Sequence, residues 1–330
     1  MHMADALLSP AVGGAMGAVT AAAVAWCSRK VRNEGDDRLV PLMGVLGAFL
    51  FAAQMINFSI PGTGSSGHLG GGLLVAILLG PNAAFLVVAS VLIVQALFFA
   101  DGGLLALGCS IFNLGFLPAF VGYPLYRIIA GGTPSPPRST VAALAAAIVS
   151  LQLGAMAVVL ETVASGISAL PLKTFALFML PIHLAIGIVE GVVTAAIVSF
   201  VRTARPGLLS PSSARSQPIA GPATAILAVA LVLGGIGAWF ASRNPDGLEW
   251  SVAHSARAAE VPTPGTPAHA SLDRVQQATA LLPDYQFRNA PAGADQKRLG
   301  TSVAGIVGGF LTLVLAVLLG WALKARPSRR

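Results

Sequence analysis

The chain has 330 residues, of which 55% are hydrophobic and only 10% are charged, and its mean hydropathy is +0.78. A soluble globular domain carries about 25% charged residues, so this composition excludes a soluble domain and indicates an integral membrane protein. The formal net charge of +7 is then explained by the membrane surface and its lipids, and no nucleic acid partner is predicted.

The N-terminal segment MHMADALLSP lacks both the basic start and the small-residue cleavage site of a secretory signal peptide. We therefore expect this segment to remain in the mature chain. We also expect Met1 to be retained, because the residue that follows it, His2, is large. This matters because the first two residues carry candidate metal-binding atoms.

Apolar runs long enough to cross a hydrocarbon core about 30 Å thick follow along the chain. The long predicted spans cover residues 8–28, 39–58, 83–100, 104–126, 139–161, 176–201, 223–241 and 302–323. Segment 70–80 is short and ends at Gly80-Pro81, which leaves a short tilted span and a re-entrant helix as alternatives. We count it as a span. The predicted fold is an all-α polytopic membrane protein with a seven-span body and a two-span C-terminal hairpin.

Basic residues in the short loops predict the orientation, because they favour the cytoplasmic side. With an extracytoplasmic N-terminus, the one basic residue in a short outer loop is Lys173. Thirteen fall inside: Arg29, Lys30, Arg32, Arg38, Arg127, Arg138, Arg202, Arg205, Arg215, Lys324, Arg326, Arg329 and Arg330. We therefore expect a multi-pass protein of the cell (inner) membrane with its C-terminus in the cytoplasm.

Two domains are predicted, because residues 202–222 form a Pro-, Ser- and Arg-rich segment typical of a linker. Residues 1–201 form the body, and residues 223–330 form the hairpin with its long extracytoplasmic loop. This loop contains PDGLEW at 245–250, in which Pro-Asp-Gly is a turn signature. Small residues four apart predict close helix packing; these pairs are Gly13/Gly17, Gly187/Gly191 and Gly305/Gly309.

Nitrogen donors on the predicted outer side point to a metal site. A free amine on Met1, the amide of His2 and the His2 ring can close fused five- and six-membered chelate rings around one ion. The His68 ring would complete a square-planar nitrogen set, which is typical of Ni(II) or Cu(II). Polar residues that could orient the two rings, although turns alone also explain them, are Asp5, Asn57, Ser65 and Ser66.

Two further ionisable residues, His183 and Glu190, lie seven positions apart and hence on nearly the same face of one predicted span. We expect them to form a hydrogen-bond network rather than to bind the metal directly. The chain lacks the H-E-x-x-H pattern of a metalloprotease and the G-x-x-x-x-G-K-[ST] pattern of an ATPase. We therefore predict that it is not an enzyme and cannot hydrolyse ATP itself.

Several segments resemble the CbiM/NikM family, the substrate-binding S components of nickel and cobalt energy-coupling-factor (ECF) transporters. They are MHMADALLSP and residues 55–81, 94–116 and 183–201. The PDGLEW hairpin resembles the PDGLE domain, which is related in role to CbiN/NikN. Ala4 and Ala6 replace family-typical Pro and Gly around Asp5, and Ser59 stands where Pro is frequent, but neither change affects a proposed ligand.

The resemblance implies that Met1, His2 and His68 bind Ni(II) or Co(II) as the transported substrate. It also implies partners, a transmembrane coupling (T) subunit and cytoplasmic ATPase (A) subunits. The sequence thus predicts the capture subunit of an ATP-driven importer, with the hairpin loop over or beside the metal entrance. A cobalt-specific importer subunit for cobalamin biosynthesis and a stand-alone carrier or channel remain alternatives.

Overall fold

The computed structural model describes residues 1–36, 38–132, 134–168, 170–204, 220–255, 266–288 and 294–323. The helices are α1 (Pro10–Glu34), α2 (Leu39–Gln54), α3 (Gly72–Leu79), α4 (Pro81–Phe99), α5 (Leu107–Ile111), α6 (Tyr123–Ala130), α7 (Pro136–Ser165), α8 (Leu172–Ala204), α9 (Ala220–Gly235), α10 (Gly247–Ser255), α11 (Pro267–Thr279) and α12 (Ala294–Leu323). A short antiparallel hairpin, β1 (Phe58–Ile60) and β2 (Ser65–Gly67), follows α2. In these ranges, six helices are long and apolar enough to cross a membrane, which confirms the all-α polytopic fold.

Helix α4 is the central helix, and its aromatic residues Phe85 and Phe99 are fully buried. Helices α5 and α6 form one continuous span, Leu107–Ala130, because two π-helical turns join them. The second π turn begins at Pro118, whose ring cannot donate an i→i−4 hydrogen bond. The π turns therefore let this span continue through a proline that would otherwise break it.

Segment 70–80, for which the sequence left a short span and a re-entrant helix as alternatives, runs from one end of the bundle to the other. Helix α3 has eight residues and is about 12 Å long at 1.5 Å per residue, less than half of the membrane core. His68, before α3, lies beside His2, whereas Asn82, after it, donates to Glu34 at the far end of α1, at 3.4 Å. A re-entrant helix would return to its starting side, so the path fits a short span.

The loops of the bundle separate into two groups. The N-terminus and residues 100–106 share one end, the N-terminal end, because Gly103 N–H donates to the Met3 carbonyl. At the opposite end, Arg202 donates to the Pro134 carbonyl at 3.3 Å and to the Tyr126 hydroxyl at 3.1 Å. Arg202 thus lies away from Met1, as the charge rule predicts, and the orientation in the cell remains a prediction.

Small residues hold the helices close together. A Cβ on Gly305 would lie 2.2 Å from the Gly234 carbonyl oxygen, so α12 and α9 touch backbone to backbone. A Cβ on Gly191 would lie 2.7 Å from Leu144 Cα, where α8 packs on α7. The predicted role in close helix packing is therefore confirmed for Gly191 and Gly305, whereas a Cβ on Gly17 would meet no atom within 4 Å. Most of the predicted linker, residues 205–219, lies outside the described residues.

Candidate metal site

The first residues of the chain are fixed inside the N-terminal end of the bundle. Met3 N–H donates to Ser110 Oγ at 3.2 Å, and the Met3 carbonyl accepts from Gly103 N–H at 2.8 Å. The Asp5 carboxylate accepts from Ala106 N–H at 2.9 Å. These hydrogen bonds join the segment to the start of the span Leu107–Ala130, so the N-terminal amine has a defined position.

The His2 side chain is only 8% exposed, and Asp101 holds it in place. The distance from His2 Nδ1 to Asp101 Oδ1 is 2.8 Å, and Asp101 also accepts from the Tyr285 hydroxyl. Burial alone would raise the pKa of Asp101, but the His2 ring and the Tyr285 hydroxyl hold that pKa well below its usual range. Asp101 is therefore an anion, and His2 Nδ1–H donates to it, whereas His2 Nε2 has no hydrogen-bond partner.

His68 follows the β1–β2 hairpin, and its ring is close to the His2 ring. The two ring centroids are 5.2 Å apart and the ring planes meet at 66°. His68 Nδ1 lies 3.1 Å from the Leu69 carbonyl oxygen, and because a carbonyl can only accept, Nδ1 must carry the proton. The lone pair of the neutral ring therefore resides on Nε2, the state that a metal requires.

The Met1 amine completes the group of nitrogens. It lies 3.6 Å from Asp246 Oδ2, and Met1 lines a small cavity of about 20 Å³ together with His68, His183, Asp246 and Gly247. A cavity of this volume has room for about one water-sized ligand. The structure therefore brings Met1, His2 and His68 together at the end of the bundle where the N-terminus lies.

Side chains alone do not make a metal site in the described ranges, where no three His, Cys, Asp or Glu residues are grouped to hold an ion. The chelate predicted from the sequence differs from such a group because it includes main-chain nitrogens. Its six-membered ring runs from the His2 amide through Cα, Cβ and Cγ to Nδ1. In this structure His2 Nδ1 donates to Asp101. The predicted chelate therefore requires His2 Nδ1 to lose this hydrogen bond and its proton before it can bind the ion.

The PDGLE segment, residues 245–249, contacts this site, and a helix cap fixes its position. Asp246 accepts from Glu249 N–H at 2.7 Å, and Glu249 accepts in return from Asp246 N–H at 3.3 Å. This reciprocal pair is a capping box that begins α10, and it leaves Asp246 Oδ2 facing the Met1 amine. The Pro-Asp-Gly pattern predicted only the turn, although the D-x-x-E spacing from Asp246 to Glu249 also indicated the cap.

The same segment docks on the hairpin that precedes His68. Ser66 N–H donates to the Pro245 carbonyl at 2.8 Å, and Ser66 pairs with Asp246 in a parallel bridge. A Cβ on Gly247 would lie 2.6 Å from Ile182 and 3.2 Å from His183 Cε1. Glycine is needed at this position because any side chain would collide with α8.

The four residues predicted to orient the rings have other partners. Asp5 binds Ala106 N–H, the Asn57 carbonyl accepts from Ser242 N–H, and the Ser65 hydroxyl pairs with Thr63. The Ser66 hydroxyl donates to the Asn244 carbonyl at 2.8 Å. The groups that contact the two rings are instead Asp101, which binds His2 Nδ1, and the Leu69 carbonyl, which binds His68 Nδ1.

A buried network fixes the backbone just after His68. Glu190, in α8, accepts from Gly70 N–H at 2.8 Å and from Gly71 N–H at 3.1 Å. Gln54 donates to the Gly70 carbonyl at 2.9 Å and accepts from Gln95 at 2.9 Å. The predicted hydrogen-bond role of Glu190 is confirmed. We call Glu190, Gln54 and Gln95 the loop clamp.

The structure predicts how acid affects the metal-free protein. Burial first, and then the charges of the N-terminal amine and His2, lower the pKa of His68 from about 6.5 to about 4. The unfolded chain therefore takes up a proton before the folded chain does, so stability is complete above pH 6.5 and falls as the pH drops towards 4. Thermal unfolding at several pH values should show this loss in the wild type.

The control variant is His68→Asn, whose amide can still donate to the Leu69 carbonyl but cannot be protonated in this range. We expect its melting temperature to fall less than that of the wild type between pH 6.5 and 4.5. Equal losses in the two proteins would show that protonation of His68 does not destabilise the fold.

Two family profiles match this chain, one over the body and one over the C-terminal hairpin. The profile of CbiM, the cobalt uptake substrate-specific transmembrane region, matches residues 2–208, and the profile of the PDGLE domain matches residues 221–325. A NikMN protein of Archaeoglobus fulgidus is 33% identical over 98% of this chain and 98% of its own length. The fused nickel transport protein NikMN of Rhodobacter capsulatus is 28% identical over 100% of this chain and 99% of its own length.

A crystal structure of a truncated transition metal transporter has a similar fold. It is 31% identical to this chain and superposes with a TM-score of 0.55, covering 62% of this chain and 99% of its own. The matched relative thus consists almost entirely of the part that resembles this chain.

Proposed function

This chain belongs to the CbiM family and carries a fused PDGLE domain, and we propose that it is the substrate-capture subunit of an ATP-driven ECF importer for Ni(II). It binds the ion from the extracytoplasmic side and releases it towards the cytoplasm when its partner subunits drive transport. These partners are a transmembrane coupling subunit and cytoplasmic ATPase subunits. The chain itself supplies the binding site and does not hydrolyse ATP.

One observation carries this proposal, the convergence of the Met1 amine, the His2 ring and the His68 ring at one end of the bundle. The amine, the His2 amide and His2 Nδ1 supply three nearly coplanar nitrogens, and His68 Nε2 supplies the fourth. Square-planar nitrogen ligation suits Ni(II) among the divalent ions that this family transports. Co(II) is the competing substrate, because it can use the same donors.

The surroundings lower the cost of holding a divalent ion beside apolar helices. Loss of the His2 amide proton offsets one unit of positive charge, and the charges of Asp101 and Asp246 lie next to the site. A buried charge is costly unless it is paired, so these two carboxylates stabilise the bound ion. Acid opposes binding because protons compete for the amine, the amide and the rings.

Release follows from the loop clamp. His68 is attached to α8 through Gly70 and Glu190, and α8 runs to Arg202 at the opposite end of the bundle. A movement of α8 imposed by the coupling subunit would therefore pull the His68 loop away from the N-terminal chelate. With one of the four nitrogens removed, the ion can leave towards the cytoplasm.

Uptake of labelled Ni²⁺ into cells tests this function against that of a stand-alone carrier. We expect accumulation only when the coupling and ATPase subunits are produced with this chain, and we expect His68→Ala to abolish it. The control variant is His254→Ala, since His254 is exposed and stacks on Trp250 far from the chelate. Vigorous uptake by the chain alone would instead identify a carrier, and preference for Co²⁺ would identify a cobalt importer.

A further inference from the structure

The acidic residues of this chain are unevenly distributed. The sequence has 13 acidic residues and a net charge of +7, yet six of the acidic residues line one open cavity of about 800 Å³ at the N-terminal end. We call this cavity the acidic vestibule; its carboxylates belong to Asp5, Asp101, Asp246, Glu249, Asp273 and Asp284. No Lys or Arg among the described residues lines it.

These carboxylates are not neutralised by basic side chains. In the described parts of the chain, the only ion pairs join Asp246 to the Met1 amine and Asp101 to His2. Asp273 accepts from Gln277, a neutral partner. The carboxylates also repel one another, because burial and then the neighbouring charge of Asp246 raise the pKa of Glu249. The vestibule therefore carries more acidic than basic side chains, whereas Arg243, Lys297 and Arg298 line the adjoining cavity, which shares four of the six carboxylates.

The vestibule borders a residue that is proposed to bind the metal. His2 lines it, and although the His2 side chain is only 8% exposed, its Nε2 atom has no hydrogen-bond partner. A buried nitrogen without a partner is costly unless a ligand supplies one. A divalent cation that enters this cavity thus reaches a wall that includes His2, whose Nε2 is shielded from solvent and whose Nδ1 is occupied by Asp101.

We propose that the acidic vestibule collects the hydrated divalent cation from the medium and guides it to His2. This inference rests on the proposed function, because it assumes that His2 belongs to the transport site. Four of the six carboxylates, at positions 246, 249, 273 and 284, lie in the PDGLE part of the chain. The PDGLE domain therefore acts on metal capture by supplying the negative field, and its main effect is on the rate of association.

Electrostatic steering has a recognisable kinetic signature. It speeds association by about 10-fold to 1,000-fold and weakens as salt shortens the Debye length to about 3 Å at 1 M. Ion dissociation depends on the ligands and stays unchanged. Asp273 and Asp284 are suited to a test, because neither contacts a residue proposed to bind the metal. Asp284 has a φ of 50°, and Asn tolerates this left-handed conformation well.

The experiment measures association of Ni²⁺ with the purified full chain by stopped flow at low and high salt. For the double variant Asp273→Asn/Asp284→Asn, we expect association about 10-fold slower at low salt, unchanged dissociation, and no difference from wild type at 1 M salt. A second variant, Ala270→Glu, adds a carboxylate to the vestibule wall and should speed association. The control Glu34→Gln/Asp36→Asn removes the same charge at the opposite end and should leave the rate unchanged.

The outcomes separate this inference from the proposed function. Wild-type rates in the Asp273→Asn/Asp284→Asn variant would overturn the vestibule as a steering site while leaving the proposed function intact. Slower association that persists at 1 M salt would also overturn it. A wild-type chain that binds no Ni²⁺ would overturn both.

Discussion

A chain extended by Gly-Ser ahead of Met1 should bind Ni(II) at least about 100-fold more weakly than the native chain. The extension moves the free amine away from the His2 amide, so the five-membered chelate ring cannot form. The two added residues would also have to fit next to Met1, which is only 6% exposed and lies beside a cavity of only about 20 Å³. Loss of groups that merely orient a ligand already costs about 10-fold to 100-fold in affinity, and here a ligand itself is lost.

Two added residues make a sharper test than one. A single added residue would place the histidine third in the chain, where the amine, two amides and the ring could form a planar nitrogen set without His68. With two added residues the histidine is fourth, and this replacement is no longer available. Metal analysis and the visible absorption of square-planar Ni(II) measure the result.

The matched control carries the same Gly-Ser pair after Arg330 and should bind Ni(II) normally. If the N-terminally extended chain retained its metal with an unchanged absorption spectrum, the amine of Met1 could not be a ligand. The proposal would then have to rely on imidazoles alone, and the described residues provide no group of three suitable side chains.

Six of the eight long predicted spans match helices long enough to cross a membrane, because each is a continuous apolar run, whereas spans 39–58 and 223–241 correspond to shorter helices. The span from Pro81 to Phe99 is an example, since its apolar residues face protein on every side. Segment 70–80 was ambiguous for a physical reason, since the apolar run covers only part of the membrane core. The remaining depth is crossed by polar backbone, which Glu190 and Gln54 satisfy. Hydropathy does not detect such partners.

The candidate site could be predicted only in part. The N-terminal chelate depends on atoms that are adjacent in sequence, so the pattern Met-His suggested it, and the predicted position of His68 on the same side of the membrane supported it. Asp101 and Asp246 lie far from the N-terminus in sequence and meet His2 and Met1 only in the folded chain. The sequence left Ser65 and Ser66 either to orient the rings or to form turns, and in the structure these residues bind the segment around Asn244 to the hairpin.

Replacing Glu190 with alanine should weaken Ni(II) binding by about 10-fold, although Glu190 touches no proposed ligand atom. The carboxyl group accepts from Gly70 N–H and Gly71 N–H, and a buried donor left without its partner costs about 1 to 3 kcal/mol. Without them two buried donors lose their partner, and the His68 ring is no longer held 5.2 Å from His2. Glu190→Gln should have a smaller effect because it keeps one accepting oxygen.

A double-mutant cycle decides whether Glu190 acts through His68 or through the fold in general. If it acts through His68, Glu190→Ala should cost no further affinity in a chain that already carries His68→Ala, because the ring it positions is gone. Equal costs in both backgrounds would contradict that role. The control is Gln152→Ala, which removes a hydrogen bond to the Leu180 carbonyl between α7 and α8 without touching the loop, and it should bind Ni(II) as the wild type does. Coupling between Glu190 and His68 would mean that any movement of α8 changes the affinity for the metal, which an importer driven from the opposite end of the bundle requires.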